Sequence, residues 1–161
     1  MREPFPSEEY ITIVDNKGRE RVQRVEYVVL DVRGEKVYVT ADGLAYTEDS
    51  LKAKDQSYLI EKLSKLPGIL AHPDIVIWDP AEPPGDTLIY YKRLYIAALH
   101  RRKLVAVIVK VRRGIKFFYN LYIQESGKVK GLTVVLPSEI EVWYIAPQVR
   151  RRQFGLGSVK K

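Results

Sequence analysis

The sequence predicts an α+β fold: an N-terminal β-meander, one helix, a second run of strands and a basic C-terminal tail. Three observations carry this expectation. β-Branched runs broken by glycine turns open the chain, a middle stretch has apolar residues at helical spacing, and the second half returns to alternation.

Tyr10–Val14 reads as a short strand. Residues 24–32 and 35–40 are β-branched runs separated by Arg33-Gly34, a hairpin signal, and Asp42-Gly43 then marks a turn. Residues 1–45 are therefore expected to form an accessory meander of about three strands. From Thr47 the pattern changes. Residues 56–66 place Leu59, Ile60, Leu63 and Leu66 at helical spacing, with Asp55 or Ser57 available as a cap and Pro67-Gly68 as the stop.

Ile75–Trp78 reads as a brief buried strand, and the proline-rich stretch 79–86 as a loop, because proline fixes φ and removes a donor. Residues 88–96, 103–111 and 116–124 form three longer strands, the last two joined by Arg112-Arg113-Gly114. Residues 133–136 and 140–145 are expected to add edge strands. Residues 46–146 make up the main domain in this reading. From Pro147 a basic run ends in Lys160-Lys161, so 147–161 is expected to be an extended or disordered tail.

At 161 residues, 46% hydrophobic and 29% charged, the chain can bury a core of its own. It has no cysteine, which excludes disulfides, thiolate metal sites and a cysteine nucleophile. The carboxylates match no recognisable calcium or magnesium loop, and no phosphate-cradling glycine motif or serine-hydrolase elbow is present. Neither a cofactor nor a metal is expected. Residues 1–6 lack a signal-peptide core and no apolar run is long enough to span a bilayer, so the expectation is a cytoplasmic protein without a membrane partner.

Net charge is +7, and its distribution is uneven. Residues 87–124 contain no Asp or Glu, yet hold Lys92, Arg93, Arg101, Arg102, Lys103, Lys110, Arg112, Arg113 and Lys116. Interleaved with these are Tyr90, Tyr91, Tyr95, Phe117, Phe118, Tyr119 and Tyr122. Cations without nearby carboxylates attract polyanions, and rings stack on unpaired bases, so the block suits RNA, with DNA as the alternative.

Alternation assigns Leu88, Tyr90, Lys92, Leu94 and Ile96 to a core face, and Ile89, Tyr91, Arg93 and Tyr95 to an exposed one. On 116–124, Phe117, Tyr119, Leu121 and Ile123 read as inward, and Lys116, Phe118, Asn120, Tyr122 and Gln124 as outward. Tyr91, Arg93, Tyr95, Asn120 and Tyr122 would then line one concave surface. Arg93, Tyr95, Arg101, Arg102, Lys103, Arg112, Arg113 and Lys116 are the expected substrate-binding residues. His72 and His100 are the only histidines, and an imidazole suits proton transfer near neutral pH. A histidine before proline, and one in a basic turn, are each more often structural.

The helix leading into His72-Pro73-Asp74-Ile75-Val76, then Leu88-Ile89-Tyr90-Tyr91-Lys92-Arg93, the apolar run 104–109 and Phe117-Phe118-Tyr119-Asn120-Leu121-Tyr122 together resemble a nuclease superfamily. It is the phage- and prophage-associated barnase–EndoU–colicin–RelE-like superfamily, and the resemblance covers residues 59–122. It implies a small helix packed on a four-stranded antiparallel sheet, with metal-independent RNA cleavage on the sheet face. It implies His72, Tyr91, Lys92 and Arg93 as site residues, with Tyr119, Asn120 or Tyr122 from the last strand where a Thr would be expected; His72, Tyr91, Lys92, Asn120 and Tyr122 are the catalytic candidates. The implied enzyme is an endoribonuclease, a toxin or phage-encoded effector, that uses the RNA's own 2′-hydroxyl, with an immunity, antitoxin or phage protein as partner. The alternatives are a non-catalytic nucleic-acid-binding accessory protein and a structural phage or virion protein.

Overall fold

The structure, a computed structural model, describes residues 10–131 and 135–156. Strands β1 (Tyr10–Val14), β2 (Glu20–Leu30) and β3 (Lys36–Thr40) lead directly into helix α1 (Ala41–Ala53). A 3-10 segment, Ser57–Lys65, runs into helix α2 (Leu66–Ala71). Strands β4 (Ile75–Trp78), β5 (Thr87–Ile96), β6 (Arg101–Arg112), β7 (Ile115–Ile123) and β8 (Val142–Ile145) follow. All eight strands join one sheet in the order β1-β2-β3-β7-β6-β5-β4-β8. The α+β class holds. The sheet is larger than the four strands implied by the resemblance, because the meander continues it through β3.

That junction is narrow. β3 and β7 run parallel and meet at one residue pair, Tyr38 with Phe117, whereas β5 and β6 pair antiparallel from Thr87–Lys110 to Ile96–Arg101. Beyond Phe117 the place of β3 beside β7 is taken by α1. The Thr40 hydroxyl caps this helix by accepting the Gly43 N–H at 3.0 Å, and Asp42 lies in the first turn. The expected turn at Asp42-Gly43 is thus corrected to a helix start. Gly43 is needed there because a Cβ would lie 2.9 Å from the Phe118 carbonyl oxygen. One turn on, the buried Thr47 hydroxyl donates to the Tyr119 carbonyl at 3.5 Å.

The second expected helix also differs. Leu59, Leu63 and Leu66 are buried as their spacing requires, but residues 57–65 are wound as 3-10 helix. Pro67 does not stop it; it sits in the first turn of α2, where its missing N–H costs nothing. Of the expected edge strands, β8 is present, while Thr133 falls outside the described residues and Val135 and Leu136 are not in a strand.

Both faces of the central strands are buried. On one, Leu88, Tyr90, Val105, Val107, Val109, Phe118 and Leu121 pack against Leu51, Leu59, Leu66 and Leu70 from the helical segments. On the other, Ile75, Ile77, Ile89, Tyr91, Ala106 and Ile108 are covered by Val129, Ile140, Phe154 and Leu156. The exposed face assigned to Ile89 and Tyr91 is therefore a second core. The expected flexible tail is corrected in part: Arg151–Phe154 is a 3-10 turn, and Phe154 and Leu156 are buried. Residues 157–161 lie outside the described residues.

A buried charge network locks the β2–β3 loop onto the helical face. Asp31 accepts the backbone N–H groups of Arg33 and Glu35 at 3.0 and 2.9 Å, the Tyr90 hydroxyl at 2.6 Å and the Lys116 ammonium at 2.5 Å. Lys116 also reaches Glu35 at 3.0 Å and lies 4.5 Å from the Trp143 ring centroid. Burial pushes the Asp31 carboxyl up, but the bonds from Lys116 and Tyr90 outweigh it and hold the group below its ordinary value.

Asp31→Ala should destabilise the fold by roughly 3–5 kcal/mol in urea unfolding, because it leaves the buried Lys116 ammonium with only the half-exposed Glu35 and removes the acceptor of the buried Tyr90 hydroxyl. Lys116→Met should cost less, since Asp31 keeps its other donors, and the double variant should recover much of the loss. A group with a depressed folded pKa contributes stability above the ordinary Asp value and loses it as pH falls through the folded value. The difference between wild type and Asp31→Asn should accordingly shrink on acidification below that range.

Candidate nucleic-acid interface

The β5–β6 hairpin end gathers Arg93, Tyr95, Arg101, Arg102 and Lys103. Antiparallel register sets Tyr95 opposite Arg102 and Ile96 opposite Arg101, so an exposed ring and an exposed guanidinium are cross-strand neighbours. Tyr95 is 55% exposed, high for a large ring in a strand. Arg93, Arg101, Arg102 and Lys103 line one side of a shallow cavity of about 190 Å³, and the turn 124–127 lines the other.

These cations are not equivalent. Lys103 is paired with Glu125 at 3.1 Å. Arg93 donates to the carbonyls of Gly127 and Gln153 at 3.3 and 3.0 Å, and its guanidinium lies 5.2 Å from the Phe154 ring centroid. It is a clamp on the C-terminal segment, which a sequence reading as a phosphate ligand did not anticipate. The Gln153 contact also brings Arg150, Arg151 and Arg152 toward this end. Arg101, Arg102, Arg150, Arg151 and Arg152 have no carboxylate partner among the described residues.

The other end of the same strands is different. From Arg102 to Arg112 the chain advances about 30 Å along β6. There Lys110 is buried and reaches Glu82 at 3.3 Å, Asp86 at 3.7 Å and the Thr87 hydroxyl at 3.0 Å. Arg112 donates to Asp86 at 2.9 Å, the Val14 carbonyl at 2.6 Å and Asn16 at 2.7 Å. Arg113 pairs with Glu20 at 2.5 Å, and Lys116 is committed to Asp31. Burial pushes the Asp86 carboxyl up, yet Arg112 and Thr87 hold it below its ordinary value. The expectation that the whole acid-free block carries unpaired charge is corrected: carboxylates from outside the block neutralise Arg112, Arg113 and Lys116. Within residues 87–124 the guanidinium groups without a carboxylate partner are those at the hairpin end.

The expected catalytic residues do not share one site. His72 is the exposed C-terminal cap of α2, and its backbone N–H bonds to the Gly68 carbonyl at 2.9 Å. Lys92 is on the helical face, 3.6 Å from Asp74, which is the partner its position demanded. Tyr91 is fully buried; its hydroxyl accepts the Lys130 N–H at 2.8 Å, and burial pushes the phenol far above its ordinary value. His100 occupies the left-handed region at φ 53° in the β5–β6 turn, a conformational role.

Asn120 and Tyr122 do meet. They line a cleft of about 240 Å³ with Tyr119, Lys110, Lys130 and Asp79. A bulge makes this possible: Ile108 pairs with Asn120 but Val109 with Phe118, so Tyr119 is the extra residue. Its ring therefore joins Asn120 and Tyr122 rather than pointing inward as alternation predicts. Lys130 bonds Asp79 at 2.9 Å; burial lowers its ammonium pKa, but Asp79 outweighs this and raises it. Burial also raises the Tyr122 phenol, so at neutral pH it is a proton donor and not a base. Asp79 and Lys130 are 51 positions apart in the chain, and no local pattern announces that they pair. Among the described residues no group of three or more His, Cys, Asp or Glu is placed to hold a metal ion, and no helix is long and apolar enough to cross a membrane.

Comparison of the chain with protein-family models, curated proteins and solved structures finds no match to any of them.

If Arg93 is the clamp on the C-terminal segment, Arg93→Ala should speed proteolysis within residues 146–156 and cost about 1–3 kcal/mol in unfolding. Arg102→Ala, alike in charge change, should leave both readouts near wild type.

Proposed function

We propose that this protein binds single-stranded RNA through the β5–β6 hairpin end. The observation that carries the reading is the set of exposed guanidinium groups without carboxylate partners among the described residues: Arg101 and Arg102 on the strand opposite the exposed Tyr95 ring, and Arg150 and Arg152 on the segment that Arg93 holds. Guanidinium groups bind phosphodiesters by charge-assisted bonds, and a tyrosine face stacks on any unpaired base. The shallow cavity under Arg93 and Lys103 admits a phosphate group. Binding without chemistry fits the scatter of His72, Tyr91 and Lys92, and the cytoplasm is the compartment in which such an activity would meet RNA.

The second reading is metal-independent RNA cleavage of the kind the barnase–EndoU–colicin–RelE-like resemblance implies. It is favoured by one arrangement, Asn120 and Tyr122 in a cleft with Lys110 and Lys130. In it, Tyr122 gives a proton to the leaving oxygen and Lys130 stabilises the phosphorane charge. The two carboxylates that could serve as base for the 2′-hydroxyl, Asp79 and Glu82, are each engaged by a lysine of the cleft, Lys130 and Lys110, which ranks this reading second.

Fluorescence anisotropy with a labelled unstructured RNA tests the first reading. Log affinity should fall linearly with log salt, and Arg101→Glu/Arg102→Glu should weaken binding at least tenfold and flatten the slope by roughly 1.4. Tyr95→Ala should cost about 1–3 kcal/mol of binding. Arg113→Glu, at the far end of the sheet, should behave as wild type. Salt-independent binding, or equal loss in the Arg113 variant, overturns the proposal. Incubation of the same RNA in EDTA decides the second reading: a cyclic-phosphate product that Tyr122→Phe abolishes would establish it, and intact RNA would remove it.

A further inference from the structure

A second cavity, of about 230 Å³, lies where the β1–β2 hairpin faces the first turns of α1. Its apolar walls are Ile13, Phe117, Phe118, Tyr119 and Tyr46. The Tyr46 and Tyr119 ring centroids are 5.2 Å apart and tilted by 38°, so the two rings touch and form one angled aromatic wall. The slot exists because α1 replaces β3 beside β7. The helix start stands on the Phe118 carbonyl at Gly43, while the hairpin continues away on the other side.

The polar groups around the slot restrict what can occupy it. Arg112 is consumed by Asp86, Val14 and Asn16, and Arg21 is bonded to Asp15 at 3.0 Å. Every cation lining the slot is therefore already held by a carboxylate, which disfavours phosphate or carboxylate ligands. One carboxylate is left over: Asp42 has no partner among the described residues. Gln23 uses its amide oxygen to accept the Thr40 hydroxyl at 2.7 Å, so its amide N–H₂ remains to donate. Thr40 is also the cap of the turn that carries Asp42, which keeps the acceptor and the donor close together. Asn16 is spent on Arg112 and the Tyr119 hydroxyl, and Asp15 on Arg21, so the slot keeps one unengaged carboxylate and one unengaged amide donor, a pair that matches a ring edge carrying an amino group beside a ring nitrogen. The volume is below the usual range for drug-sized ligands and suits a single heterocycle.

We infer that this slot binds an uncharged amino-substituted nitrogen heterocycle of the nucleobase class, with the amino group on Asp42, the ring nitrogen on the Gln23 amide and the ring against Tyr46 and Tyr119. The inference does not rest on the RNA reading, because the slot is at the Arg112 end of the sheet and has no unpaired cation.

Calorimetric titration of the full chain with adenosine and with purine riboside, which lacks the amino group, tests it. Adenosine should bind saturably with Kd below about 1 mM, insensitive to salt, and purine riboside at least tenfold more weakly. Asp42→Ala should weaken adenosine at least tenfold and change purine riboside less than twofold. Tyr46→Ala should weaken both; Tyr46 is 48% exposed, so the variant can keep the fold. Absence of saturable binding to wild type, equal affinity for the two nucleosides, or an adenosine affinity unmoved by Asp42→Ala overturns the inference. Because this binding should persist when the titration is repeated at high salt, where RNA contacts through Arg101 and Arg102 are screened, its failure is separable from failure of the RNA reading.

Discussion

The ion pair between Asp31 and Lys116 is the constraint on which the sheet depends. β3 and β7 share only the Tyr38–Phe117 pairing, so the ladder alone binds the meander to the larger antiparallel half weakly. Asp31 supplies the missing tie by joining the β2–β3 loop to β7 through Lys116 and to β5 through Tyr90. Two charges in the interior are tolerable because each is saturated: Asp31 by four donors, Lys116 by two carboxylates and the Trp143 ring. Val32 adds a backbone bond to Leu70 at 2.9 Å, so the same loop also seats α2.

With the meander held in place, the charge pattern of the molecule follows. Glu20, Asp31 and Glu35 come from the meander, and Glu82 and Asp86 from the proline-rich loop; all are delivered to one end of β6 and β7. The basic residues at that end become structural. At the opposite end Lys103 is paired with Glu125, but Arg101 and Arg102 lie out of reach of the acidic segments and keep their charge for solvent or a ligand. Functional asymmetry along the strands thus arises from where the loops carry their carboxylates.

Strand positions were readable because alternation and β-branched runs are local signals: Tyr10–Val14 and Ile75–Trp78 are found where the sequence places them, and β5 within one residue. Helix α1 was not readable, because Gly43 resembles a turn residue until the Phe118 carbonyl explains it. The 3-10 winding of residues 57–65 has the same apolar pattern as an α-helix over a short span. Site residues fared by the same rule. Tyr95, Arg101, Arg102 and Lys103 adjoin one turn and come together as neighbours do. Arg112, Arg113 and Lys116 look identical in composition, and only tertiary pairing with distant acids separates them. The bulge at Tyr119 shifts the parity of one strand and is invisible to alternation.

The covering of the second sheet face has a consequence for how the chain reaches this structure. Ile75, Ile77, Ile89, Ala106 and Ile108 are all synthesised before Ile140, Phe154 and Leu156, which close over them. Once β7 has been synthesised the helical side of the sheet lacks only Trp143 and Tyr144, while the opposite side still presents a contiguous apolar surface. Emergence of the last described residues converts that surface into core, and Arg93 then fastens the closing segment through Gln153. The nascent chain therefore passes through a stage with an adhesive face, the form in which it is most exposed to aggregation and most in need of a chaperone.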